Sequence, residues 1–270
     1  MTLHRFYIPS LNIVNGKVIL PPETSRQIRQ VLRLKTGDKV VVFSDTSEQY
    51  LIQIEAIENV VAGTVISQNI NNSEPRTFII LYQALTPREK FESILQKGTE
   101  IGISSFVPIE TKRSLIRKKD VKEEKIKRWE KIIQEAAEQS ERGKVPKIFS
   151  PMNFGEAVEI AVKDGVVLIA WEEENEQFLS EEILRSTLVK QVDSFTSFGP
   201  SAKGDTERVS IFIGPEGGFE KEEIETAKKL GAKTISLGPR ILRTETAGPF
   251  MASLILFAKG DLETKRIDIK

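Results

Sequence analysis

Residues 209–247 read VSIFIGPEGGFEKEEIETAKKLGAKTISLGPRILRTETA, and this stretch decides the class of fold. Val209 to Ile213 is a mostly apolar run of strand length, interrupted only by Ser210, the pattern of a buried strand. Glu220 to Leu230 reads as a helix, with acidic residues in its first turn and Gly231 as its stop. Lys233 to Leu237 is a second buried strand. A last helix runs from about Thr244 to Lys259 and is apolar nearly all round, so it is expected to be buried. Strands alternating with helices in this way predict an α/β domain with a mostly parallel sheet.

The same alternation extends upstream. Thr77 to Leu81, Ser105 to Ile109 and Gly165 to Trp171 are further strand runs. Thr86-Pro87-Arg88-Glu89 has the form of a capping box with Pro at the first helical position. Phe91, Ile94, Leu95 and Gly98 fall on one face of the helix it would start. Ile126, Trp129, Ile132, Ile133, Ala136 and Ala137 mark an amphipathic helix. Residues 194–207, rich in Ser, Thr, Gly and Pro, read as a mobile surface loop.

Ahead of the polar, turn-rich 69–75 segment the period changes. Lys39 to Phe43, Leu51 to Ala56 and Asn59 to Gln68 read as short strands. One short helix, with Ile28, Val31 and Leu32 at helical spacing, interrupts them before Thr36-Gly37-Asp38. A small β-barrel over 1–72, followed by an α/β domain over 73–270, is the economical organisation.

Composition narrows the chemistry. Among 270 residues there is no Cys and a single His, His4, which excludes disulfides, thiol nucleophiles and iron–sulfur clusters and argues against a metal site. Thirty-nine basic residues balance thirty-nine acidic ones. The balance is uneven along the chain: residues 1–40 hold seven basic against two acidic residues, and residues 112–131 ten against four. Such segments can make local positive surface for phosphates, or simply be solvated helix faces. No run approaches the ~20 apolar residues of a membrane span, and the opening MTLHRFYIPS has no leader pattern, so a cytoplasmic location is expected.

Two loops could carry chemistry. Gly214-Pro215-Glu216-Gly217-Gly218-Phe219 lies between a strand and a helix, where three glycines allow close approach to a ligand or merely a tight turn. Leu237 to Ala247 lies at the second such junction and puts Ile241 and Leu242 among polar residues. These two either form a pocket for a flat base or plug the core beneath the loop. Neither loop matches G-x-G-x-x-G or the P-loop.

GPEGGF at 214–219 followed by LGPRILRTETA at 237–247 closely resembles the RsmE family, the bacterial 16S rRNA uracil-N3 methyltransferases. HRFYI at 4–8, VLRLKTGD at 31–38, KGTEIGI at 97–103 and EAAEQSERGKVP at 135–146 extend the resemblance over nearly the whole chain. It implies an α/β SPOUT-type knotted methyltransferase domain behind an N-terminal PUA-like β-barrel. It also implies a homodimer and S-adenosylmethionine (SAM) as cofactor, bound in the knotted loops. The family commonly has a His near the position of Gln27, which this chain lacks. The chain has Gly248-Pro249 where small helix formers are usual, so a late or bent start of the last helix is expected.

On this resemblance, backbone groups of Leu237, Gly238, Ile241, Leu242 and Thr246 would hold the adenine, with Gly214, Pro215, Glu216 and Gly217 lining the ribose and methionine side. Arg243 would stabilise the developing uracil anion. Glu216 or Glu245 would accept the imide proton, Glu245 standing equally as a cap for the last helix. Arg5, Arg29, Arg33, Lys112, Arg113, Arg117, Lys118 and Arg142 would grip phosphates of 16S rRNA or of the assembled small subunit, with affinity falling as salt rises. Neither a metal nor a thiol is required. The rival readings are a 2′-O-ribose methyltransferase of the same superfamily, a non-catalytic RNA-binding assembly protein and a small-molecule α/β enzyme.

Overall fold

The computed structural model describes residues 3–9, 11, 13–46, 48–179 and 208–263. The loop read at 194–207 lies outside the described residues. They divide into two compact units: residues up to Glu74 together with Ala137–Val145, and Pro75–Ala136 together with the described part of Pro146–Glu263.

The first unit holds β1 (His4–Tyr7), β2 (Ile13–Val14), β3 (Lys17–Ile19), α1 (Pro22–Arg26), β4 (Lys39–Phe43), β5 (Glu48–Ile57) and β6 (Val61–Ile70). They form one six-stranded sheet in the order β1-β4-β5-β6-β3-β2. Only the β1–β4 pair is parallel. Register shifts between Leu51 and Ile52 and between Ile54 and Ala56 break the β5–β6 ladder, as bulges do where a sheet bends. Phe6 of β1, Val18 of β3 and Ile52 of β5 share a core with Leu20 and Ile28. The sheet is therefore barrel-like, but β1 and β2 remain its two ends and it is not closed.

The short helix differs from its reading. After α1 the chain continues as a π-helical turn over Gln27–Leu32. The wider turn shifts the face on which each side chain lands, so Ile28 is fully buried while Val31 is 71% exposed. Residues 137–145, sequence-distant from the sheet, are tied into this unit. The Tyr7 backbone N–H donates to Glu138 Oε1 at 2.9 Å and Asn71 Nδ2 to the Glu141 carbonyl at 3.1 Å.

The second unit contains β7 (Phe78–Ala84), α2 (Arg88–Ile101), β8 (Ser105–Glu110), α3 (Glu123–Gln139, its last turn counted with the first unit), β9 (Lys147–Ile148), β10 (Met152–Asn153) and α4 (Phe154–Asp164). It continues with β11 (Val166–Ala170), β12 (Arg208–Ile213), α5 (Lys221–Lys229), β13 (Lys233–Ile235) and α6 (Thr244–Ala258). Its seven strands are all parallel, in the order β10-β8-β7-β12-β11-β13 with β9 on β8. The parallel α/β sheet is as the sequence reading expected. α4 had escaped that reading, although Phe154, Ala157, Val158 and Ala161 have helical spacing and are all buried.

The box expected at Thr86 does not form. Pro87 takes the N-cap position with extended backbone and α2 begins at Arg88 without a side-chain cap, leaving the Thr86 hydroxyl buried and without a partner among the described residues. Boxes form instead at Asn153 with Glu156 and at Glu220 with Glu223. α2 packs against α6 and, through Phe91 on Trp129 at 4.5 Å, against α3. α6 starts at Thr244 and continues as one helix through Pro249, so the expected late start is absent. Nor is it buried all round: Phe250 and Phe257 are exposed beside the half-buried Leu254.

Candidate functional site

Strand order places the site. From β7 the chain passes through α2 to β8 on one side, and from β12 through α5 to β13 on the other. The order therefore reverses between β7 and β12, and the crevice beyond their carboxyl ends is where such sheets bind ligands. Gln83, the penultimate residue of β7, is in register with Ile213, the residue before Gly214.

The two glycine-bearing loops meet there. The Thr244 hydroxyl, at the start of α6, donates to the Gly214 carbonyl at 2.7 Å. Gln83 Nε2 donates to the same Thr244 oxygen at 3.0 Å and to the Ala84 carbonyl at 3.3 Å. Thr244 was not among the residues singled out in the sequence, where it stood unmarked between Arg243 and Glu245.

Each loop has a physical reason for its glycines. A Cβ on Gly214 would press on the Phe219 ring at 3.2 Å, and Phe219 is buried against Phe154. Gly218 has φ +69° and faces the Glu172 carboxylate. Gly238, at φ +107°, has open space where a side chain would stand. Its backbone is thus free to be approached, as a cofactor cradle requires. Next to it Ile241 is 90% exposed, which rules out a core plug at that position. Leu237 and Leu242 are half-buried. An open apolar rim over accessible backbone fits the adenine end of SAM.

The basic residues expected at phosphates also make contacts within the protein, and one of them, Arg113, holds the first loop. Arg113 NH1 donates to the Gly217 carbonyl at 2.7 Å and its Nε pairs with Glu220 at 2.9 Å. The Lys112 backbone N–H reaches Glu223 at 2.9 Å and its ammonium meets Glu222. Arg117 contacts Glu110 at 3.3 Å, and the Lys118 backbone N–H donates to the same carboxylate at 2.6 Å. Lys90 pairs with Glu216 at 2.8 Å. Burial pushes the Glu216 carboxyl up, but the Lys90 ammonium and a backbone N–H more than offset this and hold it below its ordinary value.

In the first unit Arg142 is a correction. It is buried and chelates Glu74 through Nε at 3.1 Å and NH2 at 2.7 Å, so it cannot grip a phosphate. Arg5 is similarly spent, on Gln49 at 2.9 Å, the Arg142 carbonyl at 3.2 Å and the Phe43 ring. Arg29 donates to the Ser25 carbonyl at 3.3 Å. Arg33, in a left-handed conformation at the end of the π turn, is exposed.

Arg243 projects from the second loop, 83% exposed, with Glu245 Oε1 3.9 Å away. Glu245 does not cap α6, and its Oε2 is buried without a donor among the described residues. Thr246 is exposed, its backbone N–H turned to the Arg243 carbonyl at 2.8 Å. A separate open cavity of about 410 Å³, lined by Glu110, Lys112, Arg117, Asn153 and Glu223, involves neither glycine-bearing loop. Among the described residues no cluster of His, Asp or Glu is disposed to hold a metal ion.

Residues 72–256 match the family of the RNA methyltransferase domain. The chain is 30% identical to the ribosomal RNA small subunit methyltransferase E of Bacillus subtilis, over 87% of this chain and 88% of that one. It is 32% identical to the protein of the same name from Mesomycoplasma hyopneumoniae, over 92% and 97%. A putative methyltransferase from Legionella pneumophila, solved with the cofactor SAM bound, superposes with a TM-score of 0.75 at 26% identity, over 96% and 98% of the two chains. With an α/β fold of the SPOUT type, two specific loops joined at the strand ends and relatives matched along most of their length, the chain belongs to the ribosomal RNA small subunit methyltransferase E family of RNA methyltransferases.

Proposed function

We propose that this chain methylates N3 of a uridine in the 16S rRNA of the small ribosomal subunit, with S-adenosylmethionine as donor. The observation that carries the reading is the Thr244–Gly214 hydrogen bond, which joins the two loops over the switch point of the sheet. Backbone groups of Leu237, Gly238, Ile241, Leu242 and Thr246 would hold the adenine, and Gly214, Pro215, Glu216 and Gly217 the ribose and methionine side. When bound, the cofactor supplies a methyl group activated on a sulfonium.

The rest of the chemistry falls to this chain. Much of the rate comes from aligning the base with that methyl group. Arg243 places a guanidinium beside the target base and favours its deprotonated form. Glu216 is engaged by Lys90, whereas Glu245 has a buried oxygen without a donor among the described residues. Glu245 is therefore the proton acceptor of choice. Phosphates are met by the exposed Arg33 with Arg29 in the first unit and by Lys118 in the second, assisted by the outer edges of Lys112, Arg113 and Arg117. A target base is unpaired or flipped to reach such a site.

Two further features belong to this reading. The loops at 214–219 and 237–247 thread a trefoil knot, and two copies of the chain pack through the Phe250, Leu254 and Phe257 face of α6. No helix among the described residues is long and apolar enough to cross a membrane. The test is to supply labelled SAM and undermethylated small subunits, digest the RNA and identify the nucleoside by mass spectrometry. 3-Methyluridine is expected. Label on a ribose 2′-oxygen, or none, would overturn the assignment.

A further inference from the structure

Gln83 lies outside both motif loops, yet its amide touches the junction between them. The hydrogens can be placed by elimination. The Gly214 carbonyl can only accept, so the Thr244 proton is committed to it at 2.7 Å. The Thr244 oxygen must then accept from Gln83, and only the amide nitrogen can donate, at 3.0 Å. This fixes which way the amide faces. Its oxygen is left buried without a donor among the described residues, on the side of Gly248, where a Cβ would stand 3.6 Å away.

That arrangement is costly, because a buried carbonyl without a donor loses its hydration for nothing. An apolar side chain of similar length would fill the same place on the wholly buried end of β7 without that loss. The amide is of use here only through its N–H group.

We infer that Gln83 is a positioning residue for the cofactor site: its N–H orients the Thr244 hydroxyl, which in turn holds the Gly214 carbonyl and locks the two loops at one separation. The inference rests on the cofactor assignment proposed above. It attributes to the central strand, rather than to either loop, the setting of the pocket width before SAM arrives. Preorganisation of this kind lowers the cost of binding without adding a contact to the ligand.

The experiment measures SAM affinity by calorimetry, together with the KM for each substrate, for the parent protein and for Gln83→Met, Thr244→Val, Thr244→Ser and the Gln83→Met/Thr244→Val double variant. Gln83→Met and Thr244→Val should each weaken SAM binding about tenfold, the scale of one lost buried hydrogen bond. Both should raise the KM for SAM while leaving that for RNA within about twofold. Thr244→Ser keeps the hydroxyl and should bind like the parent. The double variant should be no worse than either single one, since both break the same relay. Unchanged affinity in Gln83→Met, multiplying losses in the double variant, or losses in Thr244→Ser that match those in Thr244→Val would overturn the inference. A parent protein that binds no SAM would instead overturn the cofactor assignment itself.

Discussion

Thr244 is the first residue of α6, yet its hydroxyl leaves the helix end uncapped and goes across to Gly214. A hydroxyl in the first turn ordinarily bonds a nearby backbone N–H. Its diversion to a second loop shows that the site is held together by long-range bonds between short-range motifs. Arg243, its neighbour, is the counterpart: exposed, tied only loosely to Glu245, and free to reach outward. Arg243→Ala is expected to lower kcat on the order of 100-fold, as loss of one charge-stabilising donor does, with SAM affinity nearly unchanged. Steady-state kinetics beside calorimetry checks this, and full-rate methylation with unchanged RNA affinity would remove Arg243 from its role. The motif residues were legible because their spacing to the strands is local. Gln83 was not, since nothing near it in sequence marks an amide as facing a loop over a hundred residues away.

At the scale of elements, the ends of strands and helices are tied by buried or half-buried charges. Glu174, just past β11, accepts from the Thr234 hydroxyl of β13, from the backbone N–H groups of Glu176 and Gln177 at 3.0 and 3.2 Å, and from Lys228 of α5 at 3.3 Å. The Thr234 hydroxyl foremost, with these other donors, outweighs burial and holds its carboxyl down to about 2 from an ordinary 4.5. A carboxyl depressed in the folded state stabilises it above the unfolded value, and that stabilisation is lost as pH falls through the folded one. Glu174→Gln should therefore be less stable than the parent at neutral pH. The gap in urea midpoint should close between about pH 4.5 and pH 2. A gap that stays constant over that range would show that the charge contributes nothing. Similar ties run through the basic segment of the second unit. Lys112 and Arg113 sit in a basic run, but folding brings the carboxylates of Glu220, Glu222 and Glu223 to meet them. Local net charge cannot anticipate a partner supplied by another helix.

At the scale of the whole molecule, α6 is apolar on more sides than the described residues cover. Phe250, Leu254 and Phe257 recur at helical spacing on the uncovered side, with Phe257 69% exposed. An exposed apolar stripe of this kind marks an interface, and a second copy of the chain is the partner proposed here. Phe257→Glu should leave the monomer folded, because the side chain packs on little, and should shift sedimentation from dimer towards monomer. A variant that sediments like the parent would move the interface elsewhere.

The alternation of the longer strands and helices, the parallel sheet and the two glycine-bearing loops could be read from the chain, because each depends on residues a few positions apart: apolar period, turn chemistry and strand length. The bulged, unclosed first sheet, the π turn that turns Val31 outward, the burial of Arg142 against Glu74 and the Gln83–Thr244–Gly214 relay could not. Each is decided by which distant groups come within hydrogen-bonding or packing range once the sheet has assembled. Those separations are set by tertiary packing and leave no periodic trace in the sequence.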